Sequence, residues 1–199
     1  DAPALKSADI GVAMGIAGTE VAKQASTMIL GDDNFATIIA AVRQGRIIFD
    51  NIEKFLRYLL SSNLGEVATV FFGVLLAGPL GLADAVGAGG VVVPLLATQI
   101  LWINLVTDSG PALALGVDPE IDDVMARPPR SPSAHLLGRA MWGRIVLVGT
   151  VMAAATLLAI DRFLPGGLLS GHDSLETART AGFTTLVIAR LFPGDTVAQ

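Results

Sequence analysis

The sequence contains no cysteine, which excludes disulfides, thiolate metal sites and cysteine nucleophiles. Charge is scarce as well. Only 16% of the 199 residues are Asp, Glu, Lys or Arg, against about a quarter in an average soluble domain. Those charges gather at the N-terminal end and in one central stretch, leaving long segments almost without any. The formal charge of −5 is diffuse, and no basic stripe offers itself to nucleic acid. No Met opens the chain and no positively charged leader with a cleavage site precedes the apolar segments. On sequence alone, the start reads as a cut through a longer protein.

What is present is apolar. Hydrophobic residues make up 52% of the chain, and the mean hydropathy is +0.64. Four runs stand out, at 58–77, 91–112, 141–160 and 176–192. A helix needs about 20 apolar residues to cross the hydrocarbon core, and the first and third runs meet that length unaided. The second is interrupted by Thr107-Asp108-Ser109-Gly110-Pro111, where a helix unwound at membrane depth is expected. The fourth is uninterrupted only over 181–192, so it spans only by drawing in Leu175 to Thr180. The expected fold class is therefore mostly α: a polytopic helical membrane domain of about four transmembrane helices over 58–199.

The opening residues differ in kind. Asp1-Ala2-Pro3 has the form of a helix start, with an acid as N-cap and Pro in the first turn. Ile10 to Met14 alternates like a strand, Thr19 to Ser26 suits a short helix, and Thr27 to Leu30 a buried strand. That order implies a parallel pair. Residues 1–33 cannot bury a core of their own, so they read as the end of a larger cytosolic α/β domain. Residues 34–57 carry Ile38, Val42, Phe49, Ile52 and Phe55 near a helical period. Nothing breaks that pattern before the first apolar run, which makes 34–57 a cytosolic stalk of the first membrane helix.

Orientation follows from the basic residues. Arg43, Arg46, Lys54 and Arg57 precede the first span, and Arg127, Arg130, Arg139 and Arg144 lie between the second and third. The 78–90 loop has neither Lys nor Arg. The N-terminus and the central loop are thus expected to be cytoplasmic. Arg outnumbers Lys, and Ala and Gly abound, which hints at a bacterial source and so at a bacterial plasma membrane.

Within these runs a few polar residues demand an explanation. Asn63 and Glu66 are three apart on one helix; Asn104, Thr107 and Asp108 share a face on another. A carboxylate at membrane depth costs about 2.5–3.5 kcal/mol on insertion scales, and a bound cation compensates it. All five side chains offer hard oxygen ligands, which calcium takes in sets of about 6–8. By residue type alone, a structural hydrogen-bond network between helices accounts for them too.

Several blocks resemble a known family. Asp1-Ala2-Pro3-Ala4-Leu5-Lys6, followed by Asp9-Ile10-Gly11-Val12-Ala13-Met14-Gly15, is similar to the tail of the P-type ATPase hinge motif TGDGVNDAPALK. Ser61-Ser62-Asn63-Leu64-Gly65-Glu66 and Leu101-Trp102-Ile103-Asn104-Leu105-Val106-Thr107-Asp108 resemble the fifth and sixth membrane helices of the calcium-pump branch. Asp118-Pro119 and Arg127-Pro128-Pro129-Arg130-Ser131-Pro132 resemble its loop between helices six and seven. The resemblance implies a C-terminal fragment of an ATP-driven calcium pump, beginning inside a haloacid-dehalogenase-like phosphorylation domain and ending near helix eight. It implies Mg²⁺ and ATP as cofactors of the complete protein, whose phosphorylated Asp and nucleotide domain lie upstream, so the fragment alone should be inactive. The implied partners are the transported cation, the lipid bilayer and the missing N-terminal part of the same pump.

The resemblance also assigns roles. Asn63, Glu66, Asn104, Thr107 and Asp108 match the family's cation ligands, and Asp1 matches an Asp near Mg²⁺ and phosphate, unless it merely caps its helix. Arg190 departs from the pattern, because Glu or Gln is usual at that position. Its guanidinium is expected either to fill one cation site by pairing with Glu66 or Asp108, leaving room for one calcium, or to snorkel to water. His135 and His172 read as solvated loop residues. The alternatives are a truncated, non-catalytic membrane protein, or a pump for manganese, sodium, potassium or protons.

Overall fold

The computed structural model describes residues 2–87, 90–119, 122–131, 137–169 and 171–191. Asp1, His135 and Phe192 lie outside the described residues, so the readings made on them have no structural counterpart. The chain divides into two compact units, Asp1–Phe49 with Pro119–Pro129 and Asp50–Asp118 with Arg130–Gln199.

In the first unit, helix α1 (Ala2–Ser7) precedes strand β1 (Val12–Met14), helix α2 (Glu20–Ala25) and strand β2 (Met28–Leu30). The strands pair in parallel, with Val12 opposite Met28 and Met14 opposite Leu30. Thr19 caps α2 by accepting from the Ala22 amide, 3.3 Å away, which is how a short polar side chain satisfies a first-turn donor. The turn after β2 is held by Asp33, whose carboxylate accepts from the amides of Ile16 (2.8 Å) and Ala17 (2.7 Å). Those two amides keep the Asp33 carboxyl below the ordinary carboxylate range. Asp33 has φ +53°, a left-handed conformation that Asp tolerates better than most residues. Arg46 donates to the Val124 and Arg127 carbonyls at 2.6 and 2.8 Å, which ties the 124–127 segment to this unit.

Helix α3 (Ala36–Leu75) has 40 residues, the first of them in this unit and the rest in the second. The stalk and the first apolar run thus form one helix, since neither Gly nor Pro interrupts the sequence between Gly45 and Gly65. The second unit continues with α4 (Leu82–Val86), α5 (Ala97–Trp102), a π-helical segment (Ile103–Thr107), α6 (Ser109–Gly116), α7 (Arg139–Phe163) and α8 (Leu175–Leu191). Helices α3 and α7 are long and apolar enough to cross a membrane. At about 1.5 Å per residue, α7 is roughly 37 Å long. Val67, Phe71 and Val74 on α3, and Val146, Leu147 and Val151 on α7, are exposed. Exposed aliphatic faces on long helices suit contact with lipid chains.

Small residues set the packing of the second unit. A Cβ on Gly65 of α3 would stand 3.2 Å from Met152 Cβ, and one on Gly149 of α7 would stand 3.1 Å from Leu64 Cβ. A Cβ on Gly182 of α8 would come within 2.5 Å of Ile160 Cγ1 on α7. Close helix approach at small residues is the usual means of packing in lipid, where apolar burial gives little drive. Two apolar clusters result. One joins Leu80, Leu82, Leu157, Ile160, Leu164 and Ala178; the other joins Leu95, Ile103, Met152 and Leu186. The second cluster lies beside the polar residues described next.

The interruption at 107–111 is corrected by the structure. The chain does not unwind there: a π turn over Ile103–Thr107 leads through Asp108 directly into α6. Pro111 falls in the first turn of α6, where its missing N–H costs nothing. The wider π turn absorbs the mismatch, as such bulges do inside helices. The Thr107 hydroxyl donates to the Ile103 carbonyl, and the Ser109 hydroxyl to Leu105 at 2.6 Å. Within 107–111, the Asp108 carbonyl accepts from the Ala112 amide at 3.0 Å.

Candidate cation site

Glu66 lies on the buried side of α3, one helical turn beyond Ser62 and two beyond Tyr58. Asp108 sits where the π segment meets α6, and Arg190 in the last turn of α8. Three separate elements thus deliver three charged groups to one place. Arg190 is fully buried, while Glu66 and Asp108 are 5% and 8% exposed. Arg190 Nη1 donates to Asp108 Oδ1 at 2.7 Å, and Nη2 stands 3.0 Å from Glu66 Oε1. The guanidinium bridges both acids, where the sequence offered one or the other, and its side chain does not reach water.

The bridge is uneven. Only the Asp108 contact has hydrogen-bond alignment; Arg190 Nε and Nη2 and Glu66 Oε1 have no aligned partner among the described residues. A buried polar group left in that state costs about 1–3 kcal/mol, more if charged. Tyr58 adds a hydroxyl 3.4 Å from Asp108 Oδ1, a long and weak contact.

The remaining sequence candidates divide. Asn104 stands beside Glu66 and is otherwise exposed. Thr107 is half-buried, its hydroxyl turned to its own helix. Asn63 is half-buried and lies outside the ion-paired group. Among the described residues no three acidic or histidine side chains form a metal cage, and the group holds two carboxylates and one guanidinium.

The chain has relatives. Residues 92–194 match the family described as Cation transporting ATPase, C-terminus. Over 96% of its length, the chain is 47% identical to a calcium-transporting ATPase of Bacillus subtilis. The chain belongs to the P-type cation-transporting ATPases. It is also 48% identical over 79% of its length to an endoplasmic reticulum-type calcium-transporting ATPase of Arabidopsis thaliana. A calcium-transporting ATPase of Plasmodium falciparum gives 49% over the same share. The chain spans about a fifth of the Bacillus protein and 14% and 12% of the other two.

Sequence reasoning passed over Tyr58 and the buried hydroxyls of Ser61 and Ser62, 3% and 1% exposed. A signal was there: Tyr58, Ser62 and Glu66 are spaced by four, which places them in a row on one helix face.

Proposed function

We propose that this chain supplies the cation-site helices of an ATP-driven pump that exports calcium across a bacterial plasma membrane. The observation that carries the reading is the meeting of Glu66 and Asp108, from different helices, on one fully buried positive charge. Two ionised carboxylates in an apolar interior need a cation between them. The names of the relatives favour calcium as the cargo.

In this proposal Glu66 and Asp108 bind calcium with Asn104, Asn63 and the Thr107 oxygen. Arg190 permanently holds the place of a second ion, so one calcium moves per cycle. The apolar runs 91–112 and 176–192 join those of α3 and α7 as membrane spans, giving four, with the N-terminus cytoplasmic. The first unit is the end of a haloacid-dehalogenase-like phosphorylation domain. ATP, Mg²⁺ and the phosphorylated Asp belong to the rest of the pump, with Asp1 near that centre, and the segment alone is inactive.

Reconstitution of the complete pump in sealed vesicles tests this. ATP should drive accumulation of radioactive calcium, and Asp108→Asn should abolish it while the protein still inserts. Accumulation that is independent of Asp108, or driven by manganese or sodium but not calcium, would overturn the reading.

A further inference from the structure

A second charged site lies away from the cation cluster, within the second unit. Glu53 and Arg57 on α3, Arg130, and Arg144 on α7 line an open pocket of about 320 Å³, together with the first turn of α7 from Gly138 to Met141. The lining carries three guanidinium groups and one carboxylate. The Glu53 carboxylate stands 3.0 Å from Arg130 Nη2 and 3.6 Å from Arg57 Nη2. The α7 N-cap is Gly138, which provides no side-chain acceptor for the first-turn amides. The N-terminal end of a 25-residue helix adds partial positive charge on the same side.

The position of the pocket narrows its ligand. Arg57 immediately precedes the apolar run of α3, and Met141 begins that of α7, so the pocket sits where apolar helix gives way to charged chain. Trp142 adjoins it and is 47% exposed, with Val146 and Leu147 exposed one turn further along α7. Aromatic rings of this kind favour the headgroup level of a bilayer. A basic hollow next to an exposed apolar strip fits an amphiphile that is anionic at its head and apolar in its tail. We infer that this pocket binds the phosphate of an anionic phospholipid, whose acyl chain lies along the Trp142–Leu147 face of α7. Basic pockets between membrane helices recognise headgroups in this way. A free phosphate would use the arginines but gain nothing from the apolar strip.

Native mass spectrometry of the detergent-purified complete protein tests the inference, with phosphatidylglycerol, phosphatidylcholine and inorganic phosphate titrated separately. Phosphatidylglycerol should bind tightest. At about 1 kcal/mol per basic residue near a surface, Arg130→Gln with Arg144→Gln should weaken it on the order of 30-fold. Arg144→Lys should keep most of the binding, and Arg162→Gln, at the opposite end of α7, all of it. If the double variant does not fold, Arg144→Gln alone should still lose about fivefold. Equal affinity for phosphatidylcholine, unchanged binding by the charge-removing variants, or displacement of phosphatidylglycerol by equimolar inorganic phosphate would each overturn the proposal.

Discussion

Replacing Arg190 by glutamine removes the positive charge that, among the described residues, bridges Glu66 and Asp108. The structure sets the size of the effect. Arg190 is completely buried and makes one aligned, charge-assisted hydrogen bond of 2.7 Å to Asp108, with an unaligned ion pair of 3.0 Å to Glu66. The aligned bond contributes about 1.5–3 kcal/mol. Breaking a buried pair by deleting one partner costs about 3–5 kcal/mol, because the partner's charge remains. Without calcium, Arg190→Gln should therefore destabilise the complete pump by about 3–5 kcal/mol. On the proposed reading, calcium should shrink the loss, because a second ion takes the vacated place. At a hundredfold excess over its dissociation constant, an added site returns about 2.7 kcal/mol, most of the loss. Thermal unfolding followed with and without calcium, alongside equilibrium binding of radioactive calcium, measures both quantities. The variant should show a steeper calcium dependence of stability and one additional calcium per pump. An unchanged stoichiometry, together with parallel calcium dependences, would refute the role given to Arg190.

Other perturbations probe single links. Tyr58→Phe removes a hydroxyl 3.4 Å from Asp108; so long a contact sits at the bottom of the ~0.5–1.5 kcal/mol range, and calcium affinity should fall no more than about threefold. Gly182→Val places methyl groups where a Cβ alone would meet Ile160 at 2.5 Å, so α8 should be pushed from α7 at a cost of about 1–3 kcal/mol. Since α8 carries Arg190, calcium transport should fall with it in a vesicle assay, whereas Gly143→Ala, where a Cβ meets open space, should leave transport intact. Asp33→Asn should speed amide exchange at Ile16 and Ala17 at neutral pH, because their acceptor loses its charge. With the native residue the folded-state pKa is lowered, so its stabilisation is present above the ordinary carboxylate value and fades as pH falls through the lowered one. Exchange at those two amides should therefore be slow at pH 7 and lose its protection only in acid.

Much of this protein was legible in the residue order. Ile10 to Met14 and Thr27 to Leu30, separated by a helical crossover, were read as a parallel pair, and the strands Val12–Met14 and Met28–Leu30 pair in parallel. The uninterrupted period from Ile38 to Phe55 announced that α3 would run on into its apolar half. Helical spacing put Asn63 with Glu66 and Asn104 with Asp108, but it did not single out Ser62 and Tyr58, and Asn104 is exposed where Asp108 is buried. The 107–111 interruption was misjudged for a local reason. A Pro in the sequence does not say whether it falls in a first turn, and a π turn leaves no compositional mark.

The sequence by itself determined which segments are apolar, where charge is concentrated and which polar residues lie at depth, because those properties belong to residue types and short-range period. Only the tertiary structure decided that Arg190, 82 positions from Asp108, would lie between two acids. That meeting depends on Gly182 letting α8 close on α7 and on Gly65 and Gly149 letting α7 close on α3. Helix approach is fixed by the shapes of both faces together, and no single segment carries that information.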